Sequence, residues 1–481
     1  MKKISQMTPV FIDFETYLDK AKRYSLTHLS DLQYITDPRF QVLSVAIGVN
    51  GKTRVYPGNT PLWKKQLLVL NDDDHIFVAH NGRFDFRILS IHCGIVPRWM
   101  ADTMLMARFM GYPKCGLGEL AHKLLSDQKL ELNVDGKRLK DLSQDEWKNL
   151  VNYNEKDIRL TQKLYQILLP NLPQMEMPLI DQTLKLCLKS HSIDWGRVEK
   201  FIVELDQNLI SLRDKNMELF ENRNRPAWIR NHIHQLTGID PKTTDKKKVV
   251  IEELVPRAQE IFHTVWEFKE IEREKDALAT LRRRMTTGTN TAAFIDLNYS
   301  KAVTHRWSSG GEDTQSFNMQ NMGRKSGTRN IWIPDSGNAY VIVDLSQIEA
   351  RVAAWYAGER ALLQAFAANQ CVYCEFGRHV FGHVLSKETE KSERQLCKQA
   401  VLGLQFGMGV ERFHQTLLTQ VPDHLKQTTI RLKISSENLD TGSSKTIKDG
   451  SKSDQNTAKP VQSPQSLPQE QAPYKVGPRP G

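Results

Sequence analysis

The stretch QVLSVAIGVNGKTRVYP, residues 41–57, reads as two strands closed by Asn50-Gly51. That dipeptide accepts the positive backbone angles of a tight hairpin turn, so the chain commits early to an antiparallel pair. Further strand signals lie on either side, in PVFIDFETY (9–17) and HIFVAH (75–80). Helical spacing follows in RFDFRILSIHCG (83–94) and DEWKNLVNYNEKDIRLTQKLYQIL (145–168), and Pro170 with Pro173 punctuates the end of this α/β unit.

Acids recur at spacings that allow them to converge. Asp13 and Glu15 are two apart in a strand and leave the same face. In Asn81-x3-Asp85 and Tyr153-x3-Asp157 the i, i+4 spacing puts each pair on one side of a helix. Four carboxylates with Tyr153 suit two hard divalent cations, which would activate a water and stabilise the leaving 3′ oxygen of an in-line phosphoryl displacement.

Residues 175–285 read mostly as long, charged, amphipathic helix, as in IFHTVWEFKEIEREKDALATLRRRM, whose last turn gathers Arg282, Arg283 and Arg284. A third region opens at FIDLNYS (294–300) and contains THRWSS, FNMQNM and the apolar run AYVIVDLS (339–346), expected to be a strand that ends in Asp344 before a helix starting near Ser346. Farther on, Arg394, Lys398, Leu402 and Phe406 fall at four-residue steps on one helical stripe. Two cations at one end and an aromatic at the other would match a nucleotide's phosphates and base. After about Lys426, Ser, Thr, Lys, Gln and Pro dominate without periodicity, so residues 426–481 are expected to be disordered.

A formal charge of +10 favours an anionic partner. No apolar run approaches a membrane span, and MKKISQMTPVFIDF lacks the apolar core of a signal peptide, so no membrane partner and a cytoplasmic location are expected. The six scattered cysteines fit free thiols in a reducing compartment. Cys371-x2-Cys374-x4-His379-x3-His383 carries four zinc-ligand types, but on a helix such spacings splay around the surface.

FIDFET, HNGRFD and YNEKD, in that order, resemble the three exonuclease motifs of DnaQ-like, RNase H-fold proofreading domains. DLSQIEAR resembles motif A, and RQLCKQAVLGLQFGMG motif B, of family A DNA polymerases in a phage-like version; THRWSS and MQN match segments that hold primer and template. The resemblance implies an α/β plus α+β multidomain chain: an RNase H-like 3′ to 5′ exonuclease domain (1–170), thumb helices and the start of a palm (171–335), palm motif A and fingers motif B (336–425), and the tail.

Carried over residue by residue, Asp13, Glu15, Asp85 and Asp157 become metal ligands, with Tyr153 orienting the attacking water. Asp344 becomes a polymerase metal ligand, Glu349 the sugar gate, and Arg394 and Lys398 the triphosphate ligands, with Lys398 as general acid. Leu402 and Phe406 face the nucleotide, whereas Arg306, Gln320, Asn321 and Arg351 touch or support the primer-template. The implied cofactor is Mg²⁺, two per site, with Mn²⁺ as an alternative; the implied partners are primer-template and single-stranded DNA and dNTP.

His305, Leu345 and Phe406 stand where the family usually has Gly, Tyr and Tyr, and Leu402 where it often has Phe or Tyr. Nothing after Phe413 resembles the family's third motif, His-Asp-Glu on an apolar hairpin. The expectation is therefore a truncated or split polymerase with an intact exonuclease, unable to polymerise alone, with the remaining palm either supplied by a second chain or lost through an interrupted, frameshifted or spliced gene. A stand-alone exonuclease and an inactive DNA-binding remnant are the competing expectations.

Overall fold

The computed structural model of the chain describes residues 6–246, 249, 254–284, 292–302, 304–309, 319–322, 327–405 and 407–409. These residues fall into two units, one within Met1–Val249 and Pro256–Val343, the other within Val250–Val255 and Asp344–Gly481.

In the first unit, β1 (Thr8–Thr16) is followed by α1 (Asp31–Thr36), β2 (Val42–Val49), β3 (Lys52–Pro57), α2 (Leu62–Val69), β4 (His75–Ala79), α3 (Arg83–Cys93), β5 (Met100–Asp102), α4 (Thr103–Phe109), α5 (Leu117–Leu120) and α6 (Gln144–Leu168). The sheet order is β3-β2-β1-β4-β5. The expected hairpin is present: β2 and β3 pair antiparallel, and Asn50 (φ 53°) and Gly51 (φ 74°) take the positive angles. β1 pairs antiparallel with β2 and parallel with β4, which pairs parallel with β5. The ends of β1, β4 and β5 therefore open on one edge, where ligand sites of open α/β sheets form.

β2 is apolar on both faces because it is covered twice; Leu43, Val45, Ala46 and Ile47 are all at most 1% exposed. Such side chains each contribute about 1.5–3 kcal/mol by leaving water. α6 lies over this strand so closely that a Cβ on Gly48 would sit 2.7 Å from Gln162 Nε2 and 2.8 Å from Ile158 Cγ2. Ser143 caps α6 in a reciprocal capping box with Glu146, which fixes where the helix begins. With start and depth set, Tyr153 and Asp157 come to the level of β1.

The same unit continues through α7 (Glu176–Leu188), β6 (Ser190–Ser192), α8 (Trp195–Lys215), α9 (Met217–Asn222), α10 (Pro226–Thr237), α11 (Pro256–Arg284), β7 (Ala292–Phe294), β8 (Leu297–Asn298) and β9 (Ser308–Ser309). The amphipathic expectation for α11 holds: Ala258, Ile261, Phe262, Val265, Phe268, Ile271, Leu278 and Leu281 form its buried stripe. Val198 and Leu205 of α8 join the far end of that stripe.

The second unit contains α12 (Ile348–Ala357), α13 (Arg360–Ala367), α14 (Val372–Phe381) and α15 (Lys391–Gln405). Its core gathers Ala350, Ala354, Phe366, Val372, Tyr373, Cys374, Leu385 and Cys397.

One expected element is not formed. Residues 339–345 of AYVIVDLS belong to no strand or helix, and Val341, Ile342 and Val343 are 86%, 91% and 77% exposed. Apolar content favours a strand only where a neighbour satisfies its backbone, and no described strand pairs here. Helix α12 starts at Ile348, two residues after the expected Ser346. Phe406, Phe413 and the tail 426–481 lie outside the described residues, as does the side chain of Asn321.

Candidate nuclease centre and nucleotide-binding helix

Three acids meet as their spacing suggested. One oxygen from each of Asp13, Glu15 and Asp157 lies within 4.8 Å of the others. Asp13 and Glu15 share a face of β1, paired with Ala46 and Ser44, and the register shifts between Glu15 and Thr16. Such an irregularity re-aims side chains beside a site. Asp85, expected as a fourth ligand, stands beside this group rather than in it: in the first turn of α3, its Oδ1 accepts the Phe14 amide at 3.0 Å.

Three positioning residues carried no sequence signal. Asn154, fully buried on α6, donates to Asp13 Oδ2 and accepts from Ser44 Oγ at 2.9 Å. Asp102, at the end of β5, accepts the amides of Asn81 (3.1 Å) and Gly82 (2.8 Å) while capping α4 through Met104 N (2.8 Å). It thereby holds the turn into α3, where Asn81 takes φ 61°. Lys129, in an irregular loop, places Nζ 2.7 Å from Asp157 Oδ2 and 5.0 Å from the Tyr153 ring centroid.

The electrostatics follow from burial. Asp13 is pushed up to about 7, by desolvation first and Asp157 second. Glu15 is raised well above its ordinary value by burial, then by Asp13 and Asp157. Burial and Asp13 raise Asp85 likewise. At Asp157 burial raises the carboxyl and Lys129 opposes it. Tyr153 is raised by burial, then by Glu15 and Asp157, which keeps it a phenol.

The residues fit a hard divalent cation. The donors are all oxygen, their repulsion needs a positive charge, and Asp157 Oδ1 is buried with no hydrogen-bond partner among the described residues. Asp13 and Asp157 open into a cleft of about 1040 Å³. Lys129, Arg108, Lys114 and Lys301 give that cleft a cationic lining. Arg108 Nη1 is buried there without a hydrogen-bond partner among the described residues, a donor suited to a phosphate oxygen. His80 also lines the cleft, held neutral by burial, which lowers it to about 3.

His305 of THRWSS lines this same cleft, its Nδ1 2.7 Å from Ser300 Oγ. The neighbouring Arg306 is exposed, and Gln320 accepts from Ser309 Oγ at 2.7 Å.

In the second unit, α15 presents Arg394, Lys398 and Leu402 partly exposed along one face, with Leu396, Cys397 and Ala400 buried on the other. Arg394 lies 5.4 Å from the Tyr373 ring centroid, and Arg394 and Glu349 both act electrostatically on that phenol. Arg351 donates from Nε to Ser346 O at 2.9 Å and covers the Phe366 ring at 4.5 Å. Asp344 is exposed and joins no metal-ligating group among the described residues. The Cys-Cys-His-His run does not converge either, since His383 Nε2 pairs with Glu390 at 2.8 Å.

Comparisons with known proteins match two successive regions of the chain. The family model for 3′-5′ exonuclease matches residues 3–173, and that for DNA polymerase family A matches residues 197–430. DNA polymerase I of Aquifex aeolicus is 25% identical over 384 residues, covering 69% of this chain and 61% of that protein. DNA polymerase I of Chloroflexus aurantiacus is 26% identical over 378 residues, covering 70% of this chain and 38% of that protein. The chain thus spans about three fifths or less of the length of these curated relatives. In fold it is similar to the POL domain of Pol1 from M. smegmatis, solved in complex with DNA primer-template and dNTP, at a TM-score of 0.63 and 18% identity over 92% of this chain and 76% of that one. Among the described residues no helix is long and apolar enough to cross a membrane. The chain is thus similar, region by region, to a 3′-5′ exonuclease domain followed by a DNA polymerase family A region.

Proposed function

We propose that the first unit hydrolyses DNA from its 3′ end, one nucleotide at a time, at the Asp13, Glu15, Asp157 centre with Asp85 in support. The observation that carries this reading is the convergence of three carboxylates, of which Asp157 is buried with an oxygen unpartnered among the described residues, in a cleft lined with cations. Asp13, Glu15 and Asp157 would hold Mg²⁺, with Mn²⁺ as a substitute. When bound, two such ions lower the pKa of the attacking water and stabilise the departing 3′ oxygen.

The chain's own residues do the rest. Asn154 locks Asp13 in place, and Asp102 fixes the turn that presents Asp85. Tyr153, held as a phenol, can donate to or accept from the attacking water and orient it toward phosphorus. Lys129 and Arg108 take the non-bridging oxygens of the scissile phosphate. The bond to the 3′ oxygen breaks as the water oxygen bonds to phosphorus, releasing a nucleoside monophosphate and a shortened strand.

The test is Mg²⁺-dependent shortening of 3′-recessed and single-stranded DNA labelled at its 5′ end. The Asp13→Ala/Glu15→Ala variant should lose it while still binding DNA. Intact DNA after incubation with folded wild-type protein would refute the assignment and favour a binding remnant.

For the second region we propose the nucleotide-selecting part of a template-directed DNA polymerase, on the strength of that similarity. Arg394 and Lys398 would grip the triphosphate, Leu402 and Phe406 the base side, and Glu349 the sugar, with Asp344 as a metal ligand. Arg306, Gln320, Asn321 and Arg351 would meet or support the primer-template. Fluorescent dNTP binding that persists unweakened in Lys398→Ala would remove Lys398 from this set.

A further inference from the structure

The Cys371-Val-Tyr-Cys374 stretch, left over from the zinc pattern, has the geometry of a thiol couple. Cys371 is the N-cap of α14 and is partly exposed, whereas Cys374, in the first turn, is 4% exposed. Residues three apart on a helix have Cα atoms about 5 Å apart, inside the span a disulfide bridges. Arg394 of α15 donates from Nε to Cys371 Sγ at 3.3 Å.

We propose that Cys371 is a redox-active thiol, oxidised by a hydroperoxide and resolved by Cys374 as a Cys371–Cys374 disulfide. The Cys371 thiolate attacks the peroxide, the O–O bond breaks, and a sulfenic acid forms as an alcohol or water leaves. Cys374 then attacks the Cys371 sulfur; the S–S bond forms and the sulfenic oxygen departs as water, carrying the thiol proton. Two thiols lose two electrons and the hydroperoxide gains them.

The surroundings suit these unequal roles. Burial works against a thiolate at Cys371, but Arg394 and the Cys374 amide and thiol outweigh it, leaving the group below the ordinary thiol value. Burial and the neighbouring Cys371 push Cys374 up to about 11, so the pair has one ready nucleophile and one reserve thiol. The other partly exposed cysteines, Cys93 and Cys115, are raised, by burial first. Disulfide formation would also take from Arg394 its anionic sulfur partner. That consequence for nucleotide binding rests on the triphosphate reading; the thiol chemistry does not.

The experiment uses the full reduced chain. Iodoacetamide labelling followed by peptide mass spectrometry should modify Cys371 about tenfold faster than Cys93 and Cys115. One equivalent of hydrogen peroxide should yield a peptide with an internal Cys371–Cys374 bond, and in Cys374→Ser dimedone should trap Cys371. Equal labelling rates, or peroxide treatment that leaves both thiols free, overturns the proposal without any variant being needed. If the disulfide forms and dNTP binding is unchanged, the thiol couple stands and Arg394's triphosphate role falls.

Discussion

Lys129 Nζ sits 2.7 Å from Asp157 Oδ2, beside Tyr153, so the acid cluster carries one internal counter-charge. Lys129 and a bound divalent cation would then act on the same carboxylates. In Lys129→Met the cluster loses that charge, and the protein in EDTA should be destabilised by ~1 kcal/mol, a figure discounted for a side chain one-third exposed. Adding Mg²⁺ should raise the melting temperature more in the variant than in the wild type. Equal shifts in both would mean that Lys129 does not share the acids with the metal.

Asp13 gives the pH dependence. Its carboxyl is raised to about 7, chiefly by burial, so the folded protein holds a proton that the unfolded chain releases near pH 4. A raised carboxyl contributes stability that is fully present below the unfolded value and is lost as pH rises through the folded one. In EDTA the melting temperature should therefore fall between about pH 4 and pH 8, and Mg²⁺ should flatten the slope, because bound metal favours the ionised carboxylates. Melting curves whose slope is the same with and without Mg²⁺ would contradict this.

Asn154 offers a finer test of positioning. It bridges Asp13 on β1 and Ser44 on β2, so Asn154→Leu should leave DNA binding intact while lowering hydrolysis about 10–100-fold, as loss of an orienting partner does at metal sites. Ser44→Ala, which removes only the outer bond, should cost less. A steady-state comparison of kcat and KM separates the two effects; a change confined to KM would refute the orienting role.

The convergence of Asp13, Glu15 and Asp157 was legible because alternation on a strand and i, i+4 on a helix are short-range rules that survive packing. The Asn50-Gly51 turn was legible for the same reason. Lys129, Asn154 and Asp102 were not, because what makes them matter is a partner 28, 141 or 20 positions away, and no periodicity marks it. Asp85 shows the middle case: its helix was expected, but whether its carboxylate faces metal or the Phe14 amide depends on tertiary placement. Residues 339–345 failed in the opposite direction, since strand propensity predicts only a willingness to pair.

A last prediction concerns the join between the exonuclease sheet and the segment that follows the long helices. Arg87, 1% exposed on α3, donates from Nη2 to Asp296 at 2.5 Å and to Cys187 O at 3.2 Å, while Arg83 bonds Asp31 at 3.1 Å. Burial alone would raise Asp296, yet the two guanidinia outweigh it and hold the carboxyl below its ordinary value. A depressed carboxyl contributes stability above the unfolded value, near 4, and loses it as pH falls through the folded one. Asp296→Asn leaves buried Arg87 with Asp31 alone of the two acids, 3.8 Å away and shared with Arg83, and should cost about 2–3 kcal/mol at neutral pH, less than for a fully buried pair because Asp296 is partly exposed. The deficit relative to wild type should shrink as pH falls below 4 and through the depressed folded value, where the wild-type carboxylate takes up its own proton. Urea unfolding at pH 7 and pH 3 measures both, and a pH-independent deficit would show that shape rather than charge holds this join.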